Sequence, residues 1–252
     1  MDELTGFKTY DIRGDVGVNL TPDIARRIGR AYAVWLHPRR VVVGADVRLS
    51  SEALKTALID GLTAGGVDVI DLGMTGTEEV YFATRELRAD GGIQVTASHN
   101  PAHYNGFKLV GLEARPISND NGLLEIKALA EQNRFPPCVR RGGIFPYDNR
   151  PAWVNCLLRF LTTPPKRTLR LVVNAGHGTA GPALDALDEG LKRAGVPVEF
   201  IRIHHQPDGR FPAGVPNPML PENRQSTRLA VIEHHADAGI AWDGDFDRCF
   251  FF

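Results

Sequence analysis

Residues Gln94 to Lys108 read QVTASHNPAHYNGFK and gather a serine hydroxyl, an imidazole and an ammonium on one loop. Ser98, His99 and Asn100 stand together, Pro101 ends any continuing strand ladder, and Lys108 follows a turn at Asn105-Gly106. This set suits the handling of a phosphoryl group, because the oxygen can carry it and the cations can offset its charge. Ordinary turn chemistry is the competing reading, since Ser and Asn before Pro satisfy local backbone groups.

A second cluster lies far downstream. Asp243, Asp245 and Asp247 alternate in DGDFDR, after the apolar run AGIAW, and Arg248 follows them. Three carboxylates in one small loop repel unless a cation joins them, and hard oxygen ligands suit Mg²⁺, which also bridges to phosphate oxygens. A calcium-binding EF-hand begins with the same spacing but requires flanking helices, and the strand expected before Asp243 excludes it. A solvated acidic turn is the plainer alternative.

Two further patterns point elsewhere. Gly176 to Gly181, GHGTAG, matches a dinucleotide-binding fingerprint directly after a strand. The acid that should close the next strand is missing from FIRIHH, so a nicotinamide-dependent oxidoreductase stands only as an alternative. His204-His205 and His234-His235 are adjacent pairs, and neighbouring side chains share no face, so zinc is not expected.

Elements that would position these loops are legible. Thr21-Pro22-Asp23 starts a helix running to about Leu36, with a capping hydroxyl, proline in the first turn and an acid at the positive end. Arg40 to Ala45 is a buried strand, Ser50 caps a second helix, Val67 to Leu72 is a strand and Glu78 to Leu87 a helix. After a strand to Val110, a helix is expected from about Asp120 to Gln132. The Pro- and Gly-rich stretch from Phe135 to Pro151 then reads as a linker. A helix at Trp153 to Leu161 and strand Leu169 to Asn174 open a second unit. Strand Val198 to Ile203, helix Pro221 to His235 and strand Ala238 to Trp242 continue it. The alternation predicts an α/β fold: two consecutive domains, 1–140 and 141–252, with mixed, mostly parallel sheets. Asp46 and Arg48, in GADVRLSS, follow a strand at the edge where such sheets bind ligands, and a structural ion pair is an equal reading.

Composition narrows the partners. With 252 residues, 43% hydrophobic and 23% charged, the chain is that of a globular protein. A net charge of −1 gives no bulk attraction to nucleic acid or membrane, and no apolar run is long enough to span a bilayer. The charged start MDELTGFKTYDIRG lacks an apolar signal segment. Three scattered cysteines fit a reducing cytoplasm, with Cys156 expected in the core.

The string T-A-S-H-N-P followed by N-G-F-K resembles the phosphoserine loop of the α-D-phosphohexomutase family, which contains the phosphoglucomutases and phosphomannomutases. D-G-D-F-D-R is similar to that family's metal loop, with Phe246 where many members have a second glycine. Tyr10-Asp11-Ile12-Arg13-Gly14, by itself a surface turn, resembles a family segment that contributes to the active site, which implies roles for Tyr10 and Arg13. Gln94 stands where an apolar residue is common, with no chemical consequence expected. T-G-T-E-E-V-Y-F-A-T looks most like the bacterial phosphomannomutases. The resemblance implies mannose 6-phosphate and mannose 1-phosphate as substrate and product, a phosphoserine at Ser98, and Mg²⁺ held by Asp243, Asp245, Asp247 and Ser98. Lys108 and His99 would serve proton transfer and stabilise the transferred charge, and Asn100 and Arg248 would support phosphate and metal loop. A hexose 1,6-bisphosphate would be intermediate and activator.

Family members are longer, and the chain resembles their first domain and most of the second. A truncated mutase, weakly active or inactive alone, is therefore expected, or a non-catalytic phosphoserine and metal-binding fragment. The apolar end Cys249 to Phe252 predicts self-association.

Overall fold

The computed structural model describes residues 3–252. The first unit runs β1 (Ile12–Asp15), α1 (Pro22–Leu36), β2 (Arg40–Ala45), α2 (Ser51–Ala64), β3 (Asp68–Met74), α3 (Thr77–Glu86), β4 (Gly91–Val95), β5 (Tyr104–Val110), α4 (Leu123–Gln132) and β6 (Ile144–Pro146). The second runs α5 (Arg150–Leu158), β7 (Leu169–Asn174), α6 (Ala180–Arg193), β8 (Val198–Ile203), α7 (Gln225–Glu233), β9 (Ala238–Trp242) and β10 (Cys249–Phe251).

Strands of the first unit lie in the order β1-β5-β4-β2-β3-β6, and those of the second in the order β10-β9-β7-β8. Strand β2 pairs in parallel with β3 and β4 and is buried from Val41 to Ala45, which is why its sequence is apolar rather than alternating. Antiparallel β5 pairs with β4 on one side and β1 on the other, and β10 folds back on β9. Both sheets are thus mixed and mostly parallel. One face of the first sheet is covered by α1, α2 and α4 over a core that includes Ile28, Tyr32, Leu58, Ile93 and Phe107. The opposite face packs Val42 against Val80 and Ala83 of α3.

Local rules account for much of this. Thr21 Oγ1 accepts from the Ile24 amide at 3.3 Å and caps α1. Four expectations need correction. Ser50 makes no cap bond and its hydroxyl instead accepts from Asn105 Nδ2 at 2.8 Å. The linker expected over 135–151 contains β6, which pairs in parallel with β3, so the first unit extends past residue 140. Cys156 is only partly buried. The Tyr10–Gly14 segment, read as a turn, enters the sheet as β1, because Ile12, 1% exposed, finds Phe107 as its partner on β5. Among the described residues no helix is long and apolar enough to cross a membrane.

Candidate active site

The two loops singled out in the sequence meet. Ser98 follows β4 in the left-handed region, φ 51°, and is 2% exposed. That conformation is unfavourable for serine and persists only where the surroundings fix it. The fixing group is Arg48, whose side chain is fully buried. Its guanidinium donates to the carbonyls of Ser98 at 2.9 Å, Asn100 at 2.6 Å, Pro101 at 2.6 Å and Tyr104 at 3.0 Å. Asp46 neutralises it at 3.2 Å and also accepts from Thr96 Oγ1 at 2.8 Å and Ser51 Oγ at 2.5 Å. Thr96 Oγ1 in turn accepts from the Ser98 amide at 2.8 Å. Asp46 and Arg48 therefore act on the loop backbone. Arg13 braces the same loop, donating to Thr96 O at 2.5 Å while Asp11 holds its other side at 2.9 Å.

The acidic loop joins β9 to β10 and brings Asp243 to Ser98, 145 residues away. Ser98 Oγ donates to Asp243 Oδ2 at 2.5 Å. Arg248 Nη2 donates to that oxygen at 2.6 Å and also to Ser98 Oγ and His99 Nδ1. A guanidinium can only donate, so this contact suits a neutral His99 ring protonated on Nε2. Burial, then the neighbouring Arg248, holds its pKa below the ordinary histidine value. Lys108 Nζ donates to Asp245 Oδ2 at 2.7 Å and Asp247 Oδ2 at 2.5 Å. Burial pulls the Lys108 pKa down, but these two carboxylates outweigh it and hold the ammonium above its usual value. As placed, Lys108 supplies positive charge and His99 does not. Asn100 takes part through its backbone carbonyl. Tyr10 stands 74% exposed on the bend before β1 and joins none of these hydrogen bonds among the described residues.

Ligand oxygens of Asp243, Asp245 and Asp247 lie within 4.8 Å of one another. Asp245 Oδ1 and Asp247 Oδ1 are buried without a hydrogen-bond partner, although Arg248 Nε approaches the latter to 3.6 Å. Buried acceptors left without donors are what a hard cation satisfies, so the residues fit Mg²⁺. The carboxylates otherwise conflict: burial first, then Asp245 and Asp247, push Asp243 up to about 7. Asp245 is held down against its burial by Lys108 and Thr77.

Sequence reasoning missed Thr77. Its hydroxyl donates to Asp245 Oδ2 at 2.7 Å and its amide to Asp245 O at 3.1 Å. It also missed the use of Gln94, which is fully buried and donates to Thr75 O at 2.7 Å, fixing the turn before α3. Phe246 has φ 48° and packs on Trp153 and α6. Its ring lies over Gly76, where a Cβ would come within 2.2 Å of it. The fingerprint at Gly176–Gly181 serves the same loop. Thr179 donates from its amide and hydroxyl to Gly244 O, both at 3.1 Å, and a Cβ at Gly178 would lie 2.6 Å from that oxygen. The acidic loop thus occupies the face where a pyrophosphate would lie, which removes the nicotinamide reading.

Comparison with known proteins agrees with this fold. Residues 4–136 match domain I of phosphoglucomutase/phosphomannomutase, an alpha/beta/alpha domain, and residues 151–252 match domain II. The chain belongs to this phosphohexomutase family. It is 58% identical over 254 residues to a phosphomannomutase of Salmonella montevideo, with 100% of this chain and 56% of that protein covered. A phosphomannomutase of Escherichia coli K12 is 56% identical over the same shares. The crystal structure of a phosphoglucomutase/phosphomannomutase family protein from Burkholderia thailandensis superposes with a TM-score of 0.90 at 37% identity, over 100% of this chain and 55% of that one. The chain therefore spans a little over half the length of the curated relatives it matches.

Proposed function

We propose that this chain carries the phosphoserine and metal loops of a phosphomannomutase, interconverting mannose 6-phosphate and mannose 1-phosphate through a hexose 1,6-bisphosphate. The observation that supports it is the Ser98 hydroxyl set 2.5 Å from Asp243, with Arg248 on the same pair of oxygens. Phosphoryl transfer asks mainly for positioning and charge, and this site supplies both. The bond between phosphorus and Ser98 Oγ breaks, a bond to a sugar hydroxyl forms, and the hydroxyl proton passes to a base. The neutral His99 ring, with Nδ1 3.4 Å from Ser98 Oγ, can accept it once Arg248, which donates to the same nitrogen here, has turned to the phosphate. Arg248 stabilises charge on the serine oxygen, and Lys108 contributes a fixed positive charge beside Asp245 and Asp247. Asp243, Asp245, Asp247 and Ser98 would hold Mg²⁺, which when bound draws charge off the phosphate oxygens. The bisphosphorylated sugar then turns over and returns its other phosphate to Ser98.

Intact mass with peptide mapping, after incubation with glucose 1,6-bisphosphate and Mg²⁺, tests the first half-reaction. One phosphoryl group on Ser98, absent from Ser98→Ala, is the expected result. No phosphorylation of the folded chain would withdraw the catalytic reading for these 252 residues.

A further inference from the structure

Thr77 is the first residue of α3, 1% exposed, and it touches the acidic loop from the other unit. Its hydroxyl has one proton and two lone pairs, and both functions are used. It donates to Asp245 Oδ2 at 2.7 Å and accepts from Lys108 Nζ at 3.2 Å. Lys108 reaches the same Oδ2 at 2.7 Å, so that oxygen is saturated. Asp245 Oδ1 is fully buried and receives no hydrogen bond. The two oxygens of one carboxylate are thus sorted, one tied to α3 and one left free within the acidic cluster. The Thr77 amide holds Asp245 O at 3.1 Å, which fixes the backbone as well as the side chain. Thr77 is itself held. Gln94 clasps Thr75 two residues earlier, and Glu79 Oε2 accepts from the Gly76 amide at 3.0 Å.

We infer that Thr77 is a positioning residue for the metal site, turning Asp245 so that Oδ1 is the oxygen offered to the cation. The inference rests on the Mg²⁺ reading of the acidic loop given above. Groups that orient a metal's ligands in this way typically change affinity by about 10–100-fold when removed. Thr77→Val keeps the shape and loses the donor, whereas Thr77→Ser keeps the donor and loses only the methyl.

Isothermal titration of the EDTA-treated chain with MgCl₂ tests it, with thermal melts in EDTA to check folding. Thr77→Val is expected to bind at least about tenfold more weakly than wild type, and Thr77→Ser within about threefold. A folded Thr77→Val that binds like wild type overturns the inference while leaving the metal reading intact. Should Thr77→Val fail to fold, Thr77→Ser decides: a tenfold loss there assigns the position to methyl packing and also overturns it. Wild type that binds no Mg²⁺ removes the metal reading itself, and the inference with it.

Discussion

At the scale of single residues, Asp243 carries an electrostatic conflict with a measurable consequence. Its carboxyl is pushed up to about 7 without a cation, chiefly by burial and then by Asp245 and Asp247. An unfolded aspartate titrates near about 3.9. Between these values the folded chain binds a proton that the unfolded chain does not. Its contribution to stability is therefore present below about 4 and is lost as pH rises toward 7. A cation competes with that proton and restores what the ionised loop loses. Mg²⁺ should accordingly stabilise the chain more at pH 8 than at pH 5. At a hundred times Kd the gain is about 2.7 kcal/mol, worth roughly 5–10 °C in a chain of this size. Melts with and without MgCl₂ at the two pH values check this, and equal shifts would count against the assignment of Asp243 as a ligand.

At the scale of elements, the glycine-rich turn between β7 and α6 shows how one pattern serves different ends. Its small residues permit close approach, and here the approaching group is the backbone of Gly244. Gly178→Ala places a methyl carbon 2.6 Å from Gly244 O, so the acidic loop must shift. Overpacking of this kind costs about 1–3 kcal/mol. The expected outcome is a lower melting temperature with weakened Mg²⁺ binding by titration. A variant that binds NADH and leaves Mg²⁺ affinity unchanged would reverse the reading. Helix α3 belongs to the same scale, because its first turn supplies Thr77 to Asp245 and Glu79 to the second unit.

At the scale of the whole molecule, the site exists only where the units meet. Arg150, at the start of α5, reaches back to Glu79 Oε1 at 3.0 Å and to Met74 O at 2.7 Å. Glu79 is fully buried. Burial raises its pKa, and Arg150 draws it back. Arg150→Met would leave that carboxylate without its cation, at a cost of about 3–5 kcal/mol. Urea denaturation measures the loss, and adding Glu79→Gln should recover part of it. Gly209 and Phe211, on the segment after β8, make a second contact, with Phe211 lying 5.3 Å under the Arg48 guanidinium. Arg48 is thus joined both to the serine loop and to the second unit.

The sequence by itself determined the alternating strands and helices, because periodicity and capping are local. It also pointed to phosphoryl handling and cation binding at the two loops, because a serine beside cations and three alternating carboxylates suit them, while leaving plain turns as alternatives. Tertiary structure decided which oxygen meets which. Ser98 and Asp243 lie 145 residues apart, and no local rule pairs them. Only the packed fold showed that Arg48 holds the serine loop, that Thr77 ties one oxygen of Asp245, and that burial and Arg248 lower the His99 pKa while Asp245 and Asp247 raise that of Lys108. Those properties depend on burial and on neighbours brought from distant segments, and neither is encoded in the residues next to them in the chain.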